Sequence, residues 1–188
     1  MPRRDVQILD IGQVRRLIDV AISSTHAQSV IPYLVVQTFA GLRPGEAAGL
    51  RWESIHFETG QLEVKAATSK TRETRFVPIE PNLAESLLSY RQARGSIIGP
   101  GFRNALKAIK READLLPWHV DILRHCYGSY WLAVHRDRAH LAELMGNSLA
   151  VIKSHYRRAI PIEVAKEYWR LRFVSHKPAE LIPISDAA

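Results

Sequence analysis

Apolar residues recur at helical spacing in Ile11, Val14, Ile18, Ala21 and Ile22, and Asp10 stands where a carboxylate caps a first turn. Residues 31–39 are apolar nearly all round, the pattern of a helix buried on every side. Gly41 is placed to end that helix, and Pro44 to open a short one where its missing N–H costs nothing. The period then changes. Residues 61–65 alternate polar and apolar, and so do residues 74–79, with the turn-prone segment Thr68-Ser69-Lys70-Thr71-Arg72 between them. This predicts a β-hairpin, with Pro78 at an edge or terminal position of its second strand.

After Pro81 the helical period returns. It predicts helices over 83–90, 102–113, 122–134, 139–145, 149–156 and 162–173, with a loop over 96–101. Asp121 and Ser148 have the chemistry of N-caps, and Gly146 that of a helix end. The sum is an α+β fold, mainly helical with one small antiparallel sheet. Residues 1–173 are expected to form one domain, and 174–188, with two prolines and little periodicity, a loose tail.

Composition narrows the function classes. A single cysteine, Cys126, excludes an internal disulfide and a cysteine-based zinc site, so no metal and no other cofactor is expected. No apolar run approaches the roughly 20 residues of a membrane span, and the N-terminus has no secretory stretch; the expected place is the cytoplasm, away from membranes. The net charge of +7 and a pI near 9.8 favour a polyanionic partner.

Phosphoryl exchange on nucleic acid without a metal needs fixed cations aimed at non-bridging oxygens, a nucleophile, and an acid for the leaving oxygen. Arginine suits the first task because its planar fork pairs two oxygens at once. Arg43 sits in the rigid corner Gly41-Leu42-Arg43-Pro44, between two helices. Arg124 lies among apolar neighbours in Ile122-Leu123-Arg124-His125, which predicts partial burial against a carboxylate or an anionic ligand. Tyr156, flanked by cationic residues, is a candidate nucleophile. Alone, Arg43 reads better as a surface arginine in a turn and Tyr156 as a packed or surface ring, while Arg124 reads equally well as an internal ion pair.

Taken together they resemble the tyrosine recombinase (phage integrase) family, catalytic domain, over nearly the whole chain. The motifs are Gly41-Leu42-Arg43-x-x-Glu46, a hairpin lysine, Leu123-Arg124-His125, then Gly146-Asn147-Ser148 with Tyr156 nine positions after Asn147. The resemblance implies a site-specific recombinase or integrase of a mobile genetic element. Such an enzyme cleaves and rejoins duplex DNA through a 3′-phosphotyrosine intermediate, without ATP or metal. Arg43 and Arg124 would clamp the phosphate, Lys70 would protonate the leaving 5′-oxygen, Tyr156 would attack, and Glu46 would support Arg43. Partners would be double-stranded DNA and further protomers on it. Without DNA the chain is expected to be monomeric, and the last helix to dock on a neighbour only in the assembly. The helical domain that precedes the catalytic one in the family is absent from this sequence, so DNA binding by it alone is expected to be weak.

Two positions depart from the family. Histidine is usual three residues before the second arginine, where this chain has Asp121, and histidine or tryptophan where it has Asn147. The Asn147 amide can still donate to a phosphate oxygen. Asp121 cannot donate when ionised; it would accept the tyrosine proton or turn away and cap its helix. His119 and His125 are near enough in sequence to substitute. Reduced chemistry is therefore expected, since loss of an acid–base group commonly costs about 10²–10⁴-fold. The alternatives are a catalytically impaired module of the same fold that occupies or regulates a DNA site, and a topoisomerase-like nicking and closing activity. Lys65, Arg72 and Arg75 make the hairpin basic and are expected on DNA phosphates. His135 and His140 are expected on a solvated face, and Trp52 and Trp131 in the core.

Overall fold

A computed structural model describes residues 6–66, 73–156 and 159–174. Two helices open the chain, α1 (Ile11–Ser23) and α2 (Ala27–Ala40). Asp10 and Gln13 close a reciprocal capping box on α1, at 2.8 and 3.0 Å, as the pattern predicts. Helix α2 is buried from Val30 through Ala40 and stops at Gly41 in the left-handed conformation. It is the axle of the fold, with α1, α3 (Pro44–Gly49), α4 (Pro81–Leu88), α5 (Phe102–Glu112) and α6 (Ile122–His135) packed round it. An all-apolar helix can only be stable enclosed in this way.

The sheet is antiparallel in the order β1 (Ile55–His56), β2 (Gln61–Val64), β3 (Arg75–Pro78). In the register Leu62 faces Val77 and Val64 faces Arg75, so one face carries Leu62, Val64 and Val77 into the core. Pro78 ends the edge strand, where its lack of an N–H removes no ladder bond. Strand β1 was not expected; two residues are too short to show alternation.

Helices α7 (Arg138–Met145), α8 (Leu149–His155) and α9 (Ile162–Trp169) complete the chain. Gly146 turns α7 into α8 with φ +58°, and the Ser148 side chain caps α8 through the Val151 N–H. Helix α9 stops four residues earlier than its periodicity predicts, and Leu171 and Phe173 continue into the core as extended chain. It docks on its own domain: the Tyr168 hydroxyl donates to the Thr38 carbonyl at 2.6 Å, and its ring stacks on Tyr130. Trp52 and Trp131 are buried as expected, and His135 stacks on Trp131 at the surface. Among the described residues no helix is long and apolar enough to cross a membrane.

Candidate active site

The corner between α2 and α3 carries Arg43, half-buried with its side chain 18% exposed. Its guanidinium donates to Glu46 Oε1 at 2.9 Å, to the Gly146 carbonyl at 2.7 Å and to Asn147 Oδ1 at 2.7 Å. Glu46 also accepts the Arg43 backbone N–H, so the carboxylate grips both ends of that residue. Three of the five arginine N–H groups are thus engaged among the described residues, and two are left for a ligand. Because arginine only donates, the atom of Asn147 that meets it is the oxygen, and both amide protons are directed elsewhere.

Arg124, on the first turn of α6, is 4% exposed. It donates to the Gly41 carbonyl and, at 2.6 Å, to the Met145 carbonyl. The sequence led us to expect a carboxylate or an anion there. Among the described residues no carboxylate meets it; its partners there are neutral carbonyls, which leave its charge for an anion. Burial, then the neighbouring Arg43, bring its pKa down to about 10, still protonated at neutral pH. The two arginines hang from consecutive carbonyls, Met145 and Gly146, of one turn. That turn can present both because left-handed Gly146 aims successive carbonyls at them.

Tyr156 follows α8 and is 4% exposed. Its ring packs so close to Gly128 that a Cβ there would sit 2.7 Å from it. The hydroxyl meets His125 Nδ1 at 3.2 Å. Burial pushes the phenol up to about 12; Arg124 pulls the other way, Asp121 adds to the rise, and Arg43 again opposes it. Burial likewise holds His125 down to about 4, so its imidazole is neutral. Tyr156 also lines a cleft of about 390 Å³ with Ser129, Arg136, Arg138 and Pro161.

Two residues stand elsewhere than the sequence suggested. Arg75, expected on DNA, is turned inward with its side chain 11% exposed. Its fork closes on Glu46 at 3.0 and 2.7 Å, and its Nε donates to the Leu144 carbonyl at 3.0 Å. The strand pleat explains this: Arg75 shares the inward face with Val77, while Phe76 points out, 52% exposed. Asp121 occupies the N-cap position of α6 but makes no capping bond, because its φ −96°, ψ 14° are not the extended values a capping side chain needs. Lys65 remains an exposed side chain near Glu63, at 4.0 Å. Lys70 and Arg72 lie outside the described residues. Sequence reasoning missed the Arg75–Glu46 pair, whose only trace was a basic residue at an inward strand position.

Comparison with known proteins shows the family and the fold. The model of the phage integrase family matches residues 7–161. The chain belongs to that family. It is 26% identical over 162 residues, 78% of its length, to the tyrosine recombinase XerC of Xanthomonas axonopodis pv. citri (strain 306), and spans 52% of that protein. Its fold is that of the tyrosine recombinase catalytic domain. The bacteriophage HP1 integrase catalytic domain superposes with a TM-score of 0.67 at 16% identity, covering 82% of this chain and 89% of that one. The XerA recombinase gives 0.65 at 16% identity, covering 91% and 68%. The XerH site-specific recombinase, in a pre-cleavage complex with its difH substrate, gives 0.64 at 18% identity, covering 92% and 56%.

Proposed function

We propose that this integrase-family chain cleaves and rejoins duplex DNA through a covalent bond between a 3′-phosphate and Tyr156. The observation that carries this reading is the seating of Arg43 and Arg124 on consecutive carbonyls of the turn after α7, near enough to Tyr156 that both charges act on its phenol, with His125 on its hydroxyl. Arg43 and Arg124 receive the non-bridging oxygens of the scissile phosphate with their remaining N–H groups, and Asn147, oriented by Arg43, adds an amide donor. Charge that develops at phosphorus meets cations already in place, which is the largest lever in such a reaction.

Tyr156 Oη attacks phosphorus as its proton passes to His125 Nδ1. The bond to the 5′-oxygen breaks, and that oxygen takes a proton from Lys70. The ester to tyrosine conserves the energy of the broken bond, so a second 5′-hydroxyl can reverse the step. His125 thus takes the place left by Asp121, which faces a phosphodiester with the wrong charge. Because Tyr156 is so nearly enclosed, the segment bearing it shifts toward the DNA before attack. One partner is double-stranded DNA, a reading supported by the XerH–difH complex; further protomers on that DNA are the other.

The test is a duplex nicked near the cleavage point. An SDS-stable protein–DNA adduct that vanishes in Tyr156→Phe, and falls about 10²-fold or more in His125→Ala, supports the proposal. The second reading, an impaired module that occupies a DNA site, rests on Asp121 and on the enclosed tyrosine. Salt-sensitive binding with no adduct decides for it.

A further inference from the structure

Glu46 stands between two guanidinium groups, and their geometry is unequal. Arg75 takes both carboxylate oxygens in a closed fork and is itself tied to the Leu144 carbonyl of α7. Arg43 takes one bond to Oε1 and spends its other two contacts on neutral acceptors. The Glu46 side chain is 1% exposed, so water does not share in balancing its charge. Burial alone would raise this carboxyl, yet the Arg75 fork, followed by Arg43, holds it below its ordinary value and keeps it ionised.

A phosphate clamp has conflicting needs here. Arg43 must be held rigidly, and a carboxylate at 2.9 Å does that. The same carboxylate would cancel the charge the phosphate is meant to feel. We infer that Arg75 is a positioning residue that takes up the charge of Glu46, so that Glu46 can fix Arg43 without neutralising it. Within this cluster, three guanidinium groups and one carboxylate leave two net positive charges; without Arg75 one remains.

This inference rests on the phosphate-clamp reading of Arg43 and Arg124, and its test separates the two. Adduct formation on the nicked duplex is compared for the native chain, Arg75→Met, Glu46→Gln and the double variant, with thermal unfolding to confirm folding. At an effective dielectric near 20, loss of one charge this close slows Arg75→Met by about 10–100-fold. Removing the Glu46 charge in the same chain then restores at least about fivefold, a coupling that a simple structural clip does not produce. A rate within about twofold of native in Arg75→Met, or a double variant no faster than Arg75→Met, overturns the inference.

The same four sequences, each carrying Tyr156→Phe, are titrated with inorganic phosphate and followed through the arginine Nε–H resonances. If the native chain forms no adduct, the enzymatic proposal falls, and the phosphate affinities decide Arg75 alone by the same pattern. Where Arg75→Met does not fold, Arg75→Gln replaces it; its amide keeps a donor for Leu144 but carries no charge.

Discussion

Burial drives the His125 imidazole down to about 4, so it stays neutral in the folded chain where an exposed histidine, near 6.5, has begun to charge. Between these values the unfolded chain takes up a proton that the folded one refuses. Stability is therefore unaffected by this group above about pH 6.5 and falls as pH drops through the window toward 4. The expected loss is on the order of 1–3 kcal/mol. Urea unfolding at neutral and mildly acid pH reads it, and His125→Gln should flatten the difference; an unchanged difference assigns it to other groups. Gly41 makes a second demand. Its φ of +63° disfavours any side chain, and a Cβ would lie 2.3 Å from Tyr127 Cδ1. Gly41→Ala should cost about 2–4 kcal/mol, the sum of left-handed strain and overpacking. A loss under about 1 kcal/mol in denaturant melts would mean the corner yields more easily than its contacts suggest. Among the candidate site residues, Arg43, Arg124 and Tyr156 were picked out by motif and order. The inward turn of Arg75 was not, because a basic residue on a strand reads as exposed until the register is known.

The turn between α7 and α8 organises the site more than any helix does. Its carbonyls hold both arginines, its Asn147 holds Arg43 again, and Met145 shares the Gly128 shelf with Tyr156. Gly128 is helical, so alanine there brings no backbone strain, only a methyl 2.7 Å from the Tyr156 ring. Gly128→Ala should dislodge the tyrosine at a cost of about 1–3 kcal/mol and break its contact with His125. The phenol then titrates closer to 10 than to 12, followed by ultraviolet difference absorption. An unmoved titration would show that the ring keeps its place. Helix ends were read well, since Asp10, Gly41, Gly146 and Ser148 act through bonds to residues a few positions away. Asp121 was not, because its backbone conformation is set by the loop leading into α6. The end of α9 was not either: Phe173 leaves the helix to fill a gap against Phe39.

The net charge of +7 favours DNA through counterion release. Binding to duplex DNA should weaken linearly on a log–log plot against salt. Lys65→Ala should reduce the steepness by about one, the share of a single phosphate contact. An unaltered slope removes Lys65 from the interface. The burial of Arg75 already takes one expected cation out of that surface, and its charge acts inside the site instead.

Element types, most of their ends and the α+β class follow from short-range rules: periodicity, capping chemistry and the backbone limits of glycine and proline. These act within a few residues and so can be read along the chain. Pairings across long separations were decided by packing alone. Arg43 meets Gly146 across 103 positions, and Arg75 meets Glu46 across 29. Which buried cation takes which acceptor depends on where the elements lie once α2 is enclosed, and a linear pattern carries no record of that placement.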